Sequence, residues 1–250
     1  MRIIISPAKK MKIDTDLMAI AQMPQFINES EQLLNLLQEL SYDELKAMWK
    51  CNDAIAEQNV ERIQNMNIKA NLTPAIYAYE GIQYQYMAPG VFQNEELAYL
   101  QQHLRILSGF YGMLRPLDGV TPYRLEMQGK LQGPGFKSLY QFWGSKLADQ
   151  LQSESNYILN LASKEYSKNI LPFLSEETRF ITCVFGQMVN GKLVEKATWA
   201  KMARGEMVRY MAEHKITDVK DVRNFDRLNF AFSEERSDES TYVFIQAEGK

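Results

Sequence analysis

Cysteine and histidine are scarce in this chain: 250 residues hold two of each. Cys51 and Cys183 stand far apart in otherwise ordinary segments, which excludes a disulfide framework and reads as a pair of reduced thiols. His103 and His214 have no Cys or His neighbour at metal-ligand spacing, so no zinc or haem site is expected, and no cofactor or metal of any kind. Glycine-rich phosphate loops are missing as well. Neither GxGxxG nor GxxxxGK followed by Ser or Thr occurs, and no GxSxG elbow marks a serine hydrolase. There is no run of about 18 apolar residues and no leader pattern, so the chain is expected to be cytoplasmic, with no membrane partner. Internal repeats and low-complexity linkers are also lacking.

What the chain does contain is enough apolar sequence, 46%, for a sizeable core. Its formal charge of -3 conceals segregation. Arg2, Lys9, Lys10 and Lys12 precede any acid, residues 105–146 and 192–215 are rich in Lys and Arg, and the acidic residues Glu234, Glu235, Asp238 and Glu239 lie near the end. Basic segments gathered on one face would bind a polyanion despite the negative total.

The most distinctive stretch is SGFYGMLRPLDGVTPYRLEM, residues 108–127. Pro116 and Pro122 forbid a helix and push their predecessors toward extended backbone, so an ordered loop is expected after a buried strand at 104–107. Ser108 and Tyr111 would then stand at the strand's carboxyl edge, where open α/β sheets bind ligands.

Along the rest of the chain, residues 2–5 read as a buried strand entering the loop SPAKK. Apolar spacing gives a helix over 26–40, Ser41 with Glu44 forms a capping box for a second, and Asn52 or Asp53 opens a third. The segment around Gly81 reads as strand, turn and short helix. Helices are expected from Asn94 to His103, over 138–151, from Ala162 toward Pro172 and from Thr198 to His214; further strands are expected at 157–161, 229–232 and 241–245. Asn190-Gly191 predicts a tight hairpin between 179–189 and 192–196. The fold class is α/β of the mixed α+β kind: one compact mixed sheet surrounded by helices rather than a regular Rossmann or barrel order, with an N-terminal helical lobe at about 26–66.

Lys9, Ser108, Tyr111, Arg115, Asp118, Tyr123, Arg124 and Glu126, joined by Asn160, Ser163, Glu165 and Tyr166, are candidates for one cleft. Arg forks and Lys charges suit phosphate, and Tyr rings can stack on a base. Glu126, Glu165, Tyr111 and Asp118 are the candidates for catalysis, the carboxylates alternatively holding arginines in place. In KATWAKMARGEMVRY, Lys201 and Arg204 share a helix face, Arg209 follows, and Gly205 costs about 1 kcal/mol relative to Ala while letting another backbone come close.

SPAKKM at Ser6, LSGFYGMLRPLDGVTPYRLEM at Leu107, LYQFWG at Leu139, LNLASKEY at Leu159 and AKMARGEMVRY at Ala200 together resemble the YaaA peroxide-stress protein family over nearly the whole chain. The resemblance implies a single domain over 1–250, a cytosolic protein that limits peroxide damage, a link to lower free intracellular iron, a basic cleft, and binding to DNA through a helix-hairpin-helix-like element. On this sequence that element is the pair of helices around 33–49, joined at Leu40, Ser41, Tyr42 and Asp43. The connection has no Gly and carries Asp43 and Glu44, which leaves Lys46 and Lys50 as its phosphate contacts.

Two functions are therefore expected. In the first, Lys9, Lys10, Arg115, Arg124, Lys201, Arg204 and Arg209, with Lys46 and Lys50, grip a DNA backbone with shape rather than sequence selectivity, and no protein partner is evident. In the second, the same cleft is an enzyme site for a nucleoside or damaged base, with Tyr111 or Tyr123 stacking and Glu126 or Glu165 moving a proton.

Overall fold

The computed structural model describes residues 1–247. Five strands form a parallel core: Arg2–Ile5, Leu104–Ser108, Tyr157–Leu161, Arg179–Val189 and Thr241–Gln246. Numbered by chain order they lie 2-1-3-4-5 in space, and antiparallel strands close both edges, Gly112–Leu114 beside the second and Phe230–Phe232 beside the fifth. The sheet is mixed, as expected, but its interior is wholly parallel. Such strands are covered on both faces and need continuous apolar runs; Ile3, Ile4, Ile5, Ile106, Leu107, Leu159 and Leu161 supply them and are buried.

The chain leaves the first strand toward the second and returns across it to the third, so the strand order reverses between Arg2–Ile5 and Tyr157–Leu161. At such a reversal the loops leaving the carboxyl ends part to opposite sides and leave a crevice. Here those loops begin at Ser6 and Ala162.

The N-terminal helices run over Ile27–Glu39, Tyr42–Trp49 and Asp53–Gln64. Ser41 and Glu44 form the expected capping box, and Asn52 caps the third helix through Ile55 N–H. The hairpin at Asn190-Gly191 also forms, both residues having positive φ, though its second arm is only Lys192–Val194. Elsewhere boundaries moved. Gly144 divides the helix expected over 138–151 into Leu139–Trp143 and Lys146–Glu154. After the third strand, helix persists only over Lys164–Ser167, and a 3-10 turn at Leu171–Phe173 takes up Pro172. The helix after the hairpin spans Ala197–Glu213, entered from Lys196 rather than capped by Thr198.

Gly205 lies where this helix crosses the short helix Ile82–Met87. A Cβ there would stand 2.1 Å from the Gln83 carbonyl oxygen and 2.9 Å from the Met87 nitrogen. The glycine is therefore the condition for contact between two backbones. Both cysteines are free, Cys183 buried and Cys51 half-buried. No helix among the described residues is long and apolar enough to cross a membrane.

Candidate functional site: a mixed-charge cleft at the strand-order reversal

The crevice is a cavity of about 430 Å³. The loop after the first strand supplies Ser6 to Lys10, the loop after the third supplies Ser163, Glu165 and Tyr166, and the end of the distinctive loop supplies Tyr123 to Glu126. Glu80 to Tyr84 and, from the Ala197–Glu213 helix, Lys201 and Arg204 complete it. Hydrogen bonds lace the two sheet loops together. Ser163 N–H donates to Ser6 Oγ at 2.8 Å, Ser6 Oγ–H donates to Ser163 Oγ at 3.2 Å, and the Tyr84 hydroxyl donates to the Ser6 carbonyl at 3.0 Å.

Five cations face three carboxylates. Lys9, Lys10, Arg124, Lys201 and Arg204 against Glu80, Glu126 and Glu165 leave +2 when all are ionised. Lys10 pairs with Glu80 at 3.0 Å across the short antiparallel bridge that sets their register. Glu126 lies 3.0 Å from Lys9 Nζ and 3.4 Å from Arg124, yet its Oε1 receives no aligned hydrogen bond. The Arg204 guanidinium is mostly buried; among the described residues its one carboxylate neighbour, Glu195, is 4.0 Å away, and its Nε has no partner. Burial pulls its pKa down. Lys201 is exposed three residues earlier on the same face.

Glu165 differs from its neighbours. Its carboxylate accepts the Gln128 N–H at 3.2 Å, but burial, with the Glu126 charge adding to it, raises its pKa above the usual carboxylate value. Glu126 is thus held between cations while Glu165 is pushed toward its protonated form.

The position of Glu126 depends on Gly109. A Cβ at residue 109 would meet the Leu125 carbonyl oxygen at 2.5 Å and the Glu126 carbonyl carbon at 2.9 Å. The strand-edge turn and the cleft loop therefore touch through bare backbone. Gly109→Ala is expected to cost about 1–3 kcal/mol and to loosen the loop that carries Glu126; denaturant melts and the pH dependence of ligand binding check both effects.

Several expected site residues lie elsewhere. Tyr111 is fully buried, its hydroxyl accepting from Thr121 N–H and bonded to Thr121 Oγ1, both at 3.1 Å. Tyr123 reaches the cleft wall, but its ring stacks on Phe110 and its hydroxyl bonds Ser108 at 2.6 Å and Tyr79 at 2.8 Å. Neither ring is open to stack on a base, because both are committed to the core. Ser108 serves that core as well, accepting the N–H groups of Phe110 and Tyr111. Asn160 also stays outside the cleft, donating to Thr182 Oγ1 at 3.2 Å and accepting from Ala162 N–H. Arg115 turns to the opposite end of the sheet, where it joins Arg2 and Arg105 around Glu154. Arg209 pairs with Glu213 one helical turn on, away from the cleft lining. In the helical lobe Lys46 pairs with Asp53 at 2.5 Å and Lys50 is exposed. The Ser41 amide is already taken by Glu44 Oε2 at 2.8 Å. Arg124 links this lobe to the cleft by donating to the Trp49 carbonyl at 3.4 Å.

Asp118 is buried at the turn after Arg115, whose N–H it accepts at 2.8 Å, and burial pushes its pKa up to about 6. A carboxyl that keeps its proton longer when folded favours the folded state below pH 4 and loses that contribution as pH rises to 6. Asp118→Asn retains the acceptor and is expected to flatten the pH 4–6 decline in stability, on the order of 2 kcal/mol in the parent; urea melts across that range test it.

Sequence reading passed over Ser6, Glu80, Gln83 and Tyr84. The SPAKKM segment was a signal for Ser6; nothing local marked the others, Glu80 arriving through its bridge to Lys10 and Gln83 and Tyr84 on the helix that meets Gly205.

The family model described as "Peroxide stress protein YaaA" matches residues 1–236. The chain belongs to the YaaA peroxide stress protein family. Among its relatives, a UPF0246 protein of Lachnoclostridium phytofermentans is 56% identical over 248 residues, covering 99% of this chain and 97% of the relative. UPF0246 proteins of Pediococcus pentosaceus and Agathobacter rectalis are 50% and 52% identical, covering 99% and 98% of this chain and the same shares of the relatives. Membership thus spans the whole cleft of this YaaA-family chain, from Ser6 to Arg204.

Proposed function

We propose that this YaaA-family protein is a cytoplasmic DNA-binding protein of the peroxide-stress response that holds the nucleic-acid backbone in its cleft, limiting oxidative damage with a link to lower free intracellular iron. The observation that carries the reading is the gathering of Lys9, Lys10, Arg124, Lys201 and Arg204, from three separated segments, at the strand-order reversal of a protein that is acidic overall. Cations collected against the net charge concentrate a polyanion at one place. The helical lobe adds Lys50, brought near by the Arg124 link to Trp49; with the Ser41 amide occupied, the lobe contributes side-chain charge rather than backbone donors. Fluorescence anisotropy with single-stranded, duplex and branched DNA at several salt concentrations tests the reading. A steep fall of affinity with salt, and a preference among shapes rather than sequences, is expected; no binding at low salt would overturn it.

Glu126 and Glu165 in the same cleft favour a second reading, an enzyme acting on a nucleoside or damaged base. Release of a modified product that stops in Glu126→Gln would establish it.

A further inference from the structure

A DNA duplex is wider than its own major groove, which is about 12 Å across, so a cavity of about 430 Å³ does not enclose one. That volume falls within the range of small-ligand sites, roughly 300–1,000 Å³. The cavity is also chemically divided. One wall, from the Ala197–Glu213 helix, is cationic, with exposed Lys201 beside Arg204, whose Nε lacks a partner among the described residues; a second, from the loops after the strands, holds Glu126 with Lys9 and Arg124, and Glu165. A backbone-binding groove needs only the first wall. A carboxylate that kept full charge on the second would repel phosphate, so the second wall requires a ligand with a part that is not phosphate.

We propose that the cleft is a pocket for a single nucleotide, free or drawn out of a strand, whose phosphate lies against Lys201 and Arg204 and whose base meets Glu165 as a hydrogen-bond donor. Identifying the ligand as a nucleotide rests on the nucleic-acid reading; the division into an anion wall and an acid wall stands on the geometry. The groups that act on Glu165 are Glu126 and Lys9, with Arg124 holding Glu126, and the phenols of Tyr140 and Tyr166. Burial and the Glu126 charge favour the protonated acid while Lys9 opposes it, and the Gln128 amide takes one carboxyl oxygen. The Met127 amide acts on the carboxyl in the same sense as Gln128, and the group lines the cavity, where a proton it keeps is offered to the base.

Isothermal titration calorimetry of the full chain with the common nucleoside monophosphates, the matching nucleosides and ribose 5-phosphate, from pH 5 to 8, tests the pocket. At least one monophosphate is expected to bind about tenfold more tightly than both its nucleoside and ribose 5-phosphate, each partial ligand losing one wall. Affinity for it should fall with rising pH beyond what Glu165→Gln shows, because the amide donates at every pH. The second ionisation of the phosphate, near pH 6, works in the opposite direction and is common to both proteins, so the difference between the two profiles is the readout. Monophosphates binding no better than ribose 5-phosphate, or identical pH profiles for parent and Glu165→Gln, would overturn the pocket. Anisotropy with oligonucleotides in the same buffers separates the two claims. Oligonucleotide binding without monophosphate binding sinks the pocket and leaves the backbone reading standing; the converse sinks the backbone reading alone.

Discussion

Gly205→Ala is expected to lower the melting temperature by roughly 6–12 °C, the equivalent of about 3 kcal/mol in a chain of this size. The ordinary effect of this change in a helix has the opposite sign, since Ala is favoured over Gly by about 1 kcal/mol. Contact decides between them. The new methyl would stand 2.1 Å from the Gln83 carbonyl oxygen, and neither that atom nor the Met87 nitrogen belongs to a side chain that can turn away. Relief requires the Ala197–Glu213 and Ile82–Met87 helices to part, and with them the cleft residues they carry, Lys201 and Arg204 on the first and Gln83 and Tyr84 on the second. Ligand affinity should fall together with stability. Calorimetry that showed Gly205→Ala stabilised would mean that the helices do not cross at this residue.

The second large effect concerns charge. Lys9→Ala with Lys201→Ala removes two exposed ammonium groups carried into the cleft by separate elements. Each phosphate contact contributes about 0.9 to the slope of log affinity against log salt on duplex DNA. The double variant is therefore expected to lose about 2 from that slope and to weaken similarly on every sequence. Among the described residues Lys201 pairs with no carboxylate, and Glu126 keeps Arg124 at 3.4 Å when Lys9 is gone, so the fold is expected to persist. As a comparison, Arg209→Ala, on the helix but away from the cleft lining, should leave the slope where it was. A slope unchanged in the double variant would take the backbone out of the cleft.

Much of this arrangement was legible in the residues, for reasons that are local. The Ser41–Glu44 box and the Asn190-Gly191 turn are set by contacts spanning three residues or fewer, and both form. Lys201 and Arg204 reach the cleft together because helical spacing alone puts them on one face. Lys9 and Glu165 were legible as residues just past the ends of apolar strands. The direction of a loop side chain was not. Arg115 and Arg124 belong to the same Pro-containing segment, yet one turns to Glu154 and the other to Glu126, a choice made by carboxylates on different elements. Tyr111 and Tyr123 carry the composition of a stacking platform, but their neighbours Phe110, Thr121 and Tyr79 convert them into core. The order 2-1-3-4-5, which locates the crevice, depends on pairing residues more than a hundred positions apart, such as Ile3 with Leu104.

Hydrogen–deuterium exchange of the protein alone and with saturating DNA, read by mass spectrometry, tests the cleft as the nucleic-acid site most directly, because it compares every candidate surface in one experiment. Protection is expected in peptides covering Ser6 to Lys10, Tyr123 to Gln128, Ser163 to Tyr166 and the turn around Lys201 and Arg204, with a smaller change near Lys50. Protection confined to the helical connection at Ser41, or to the face around Arg209, with no change in the cleft segments, would contradict the assignment.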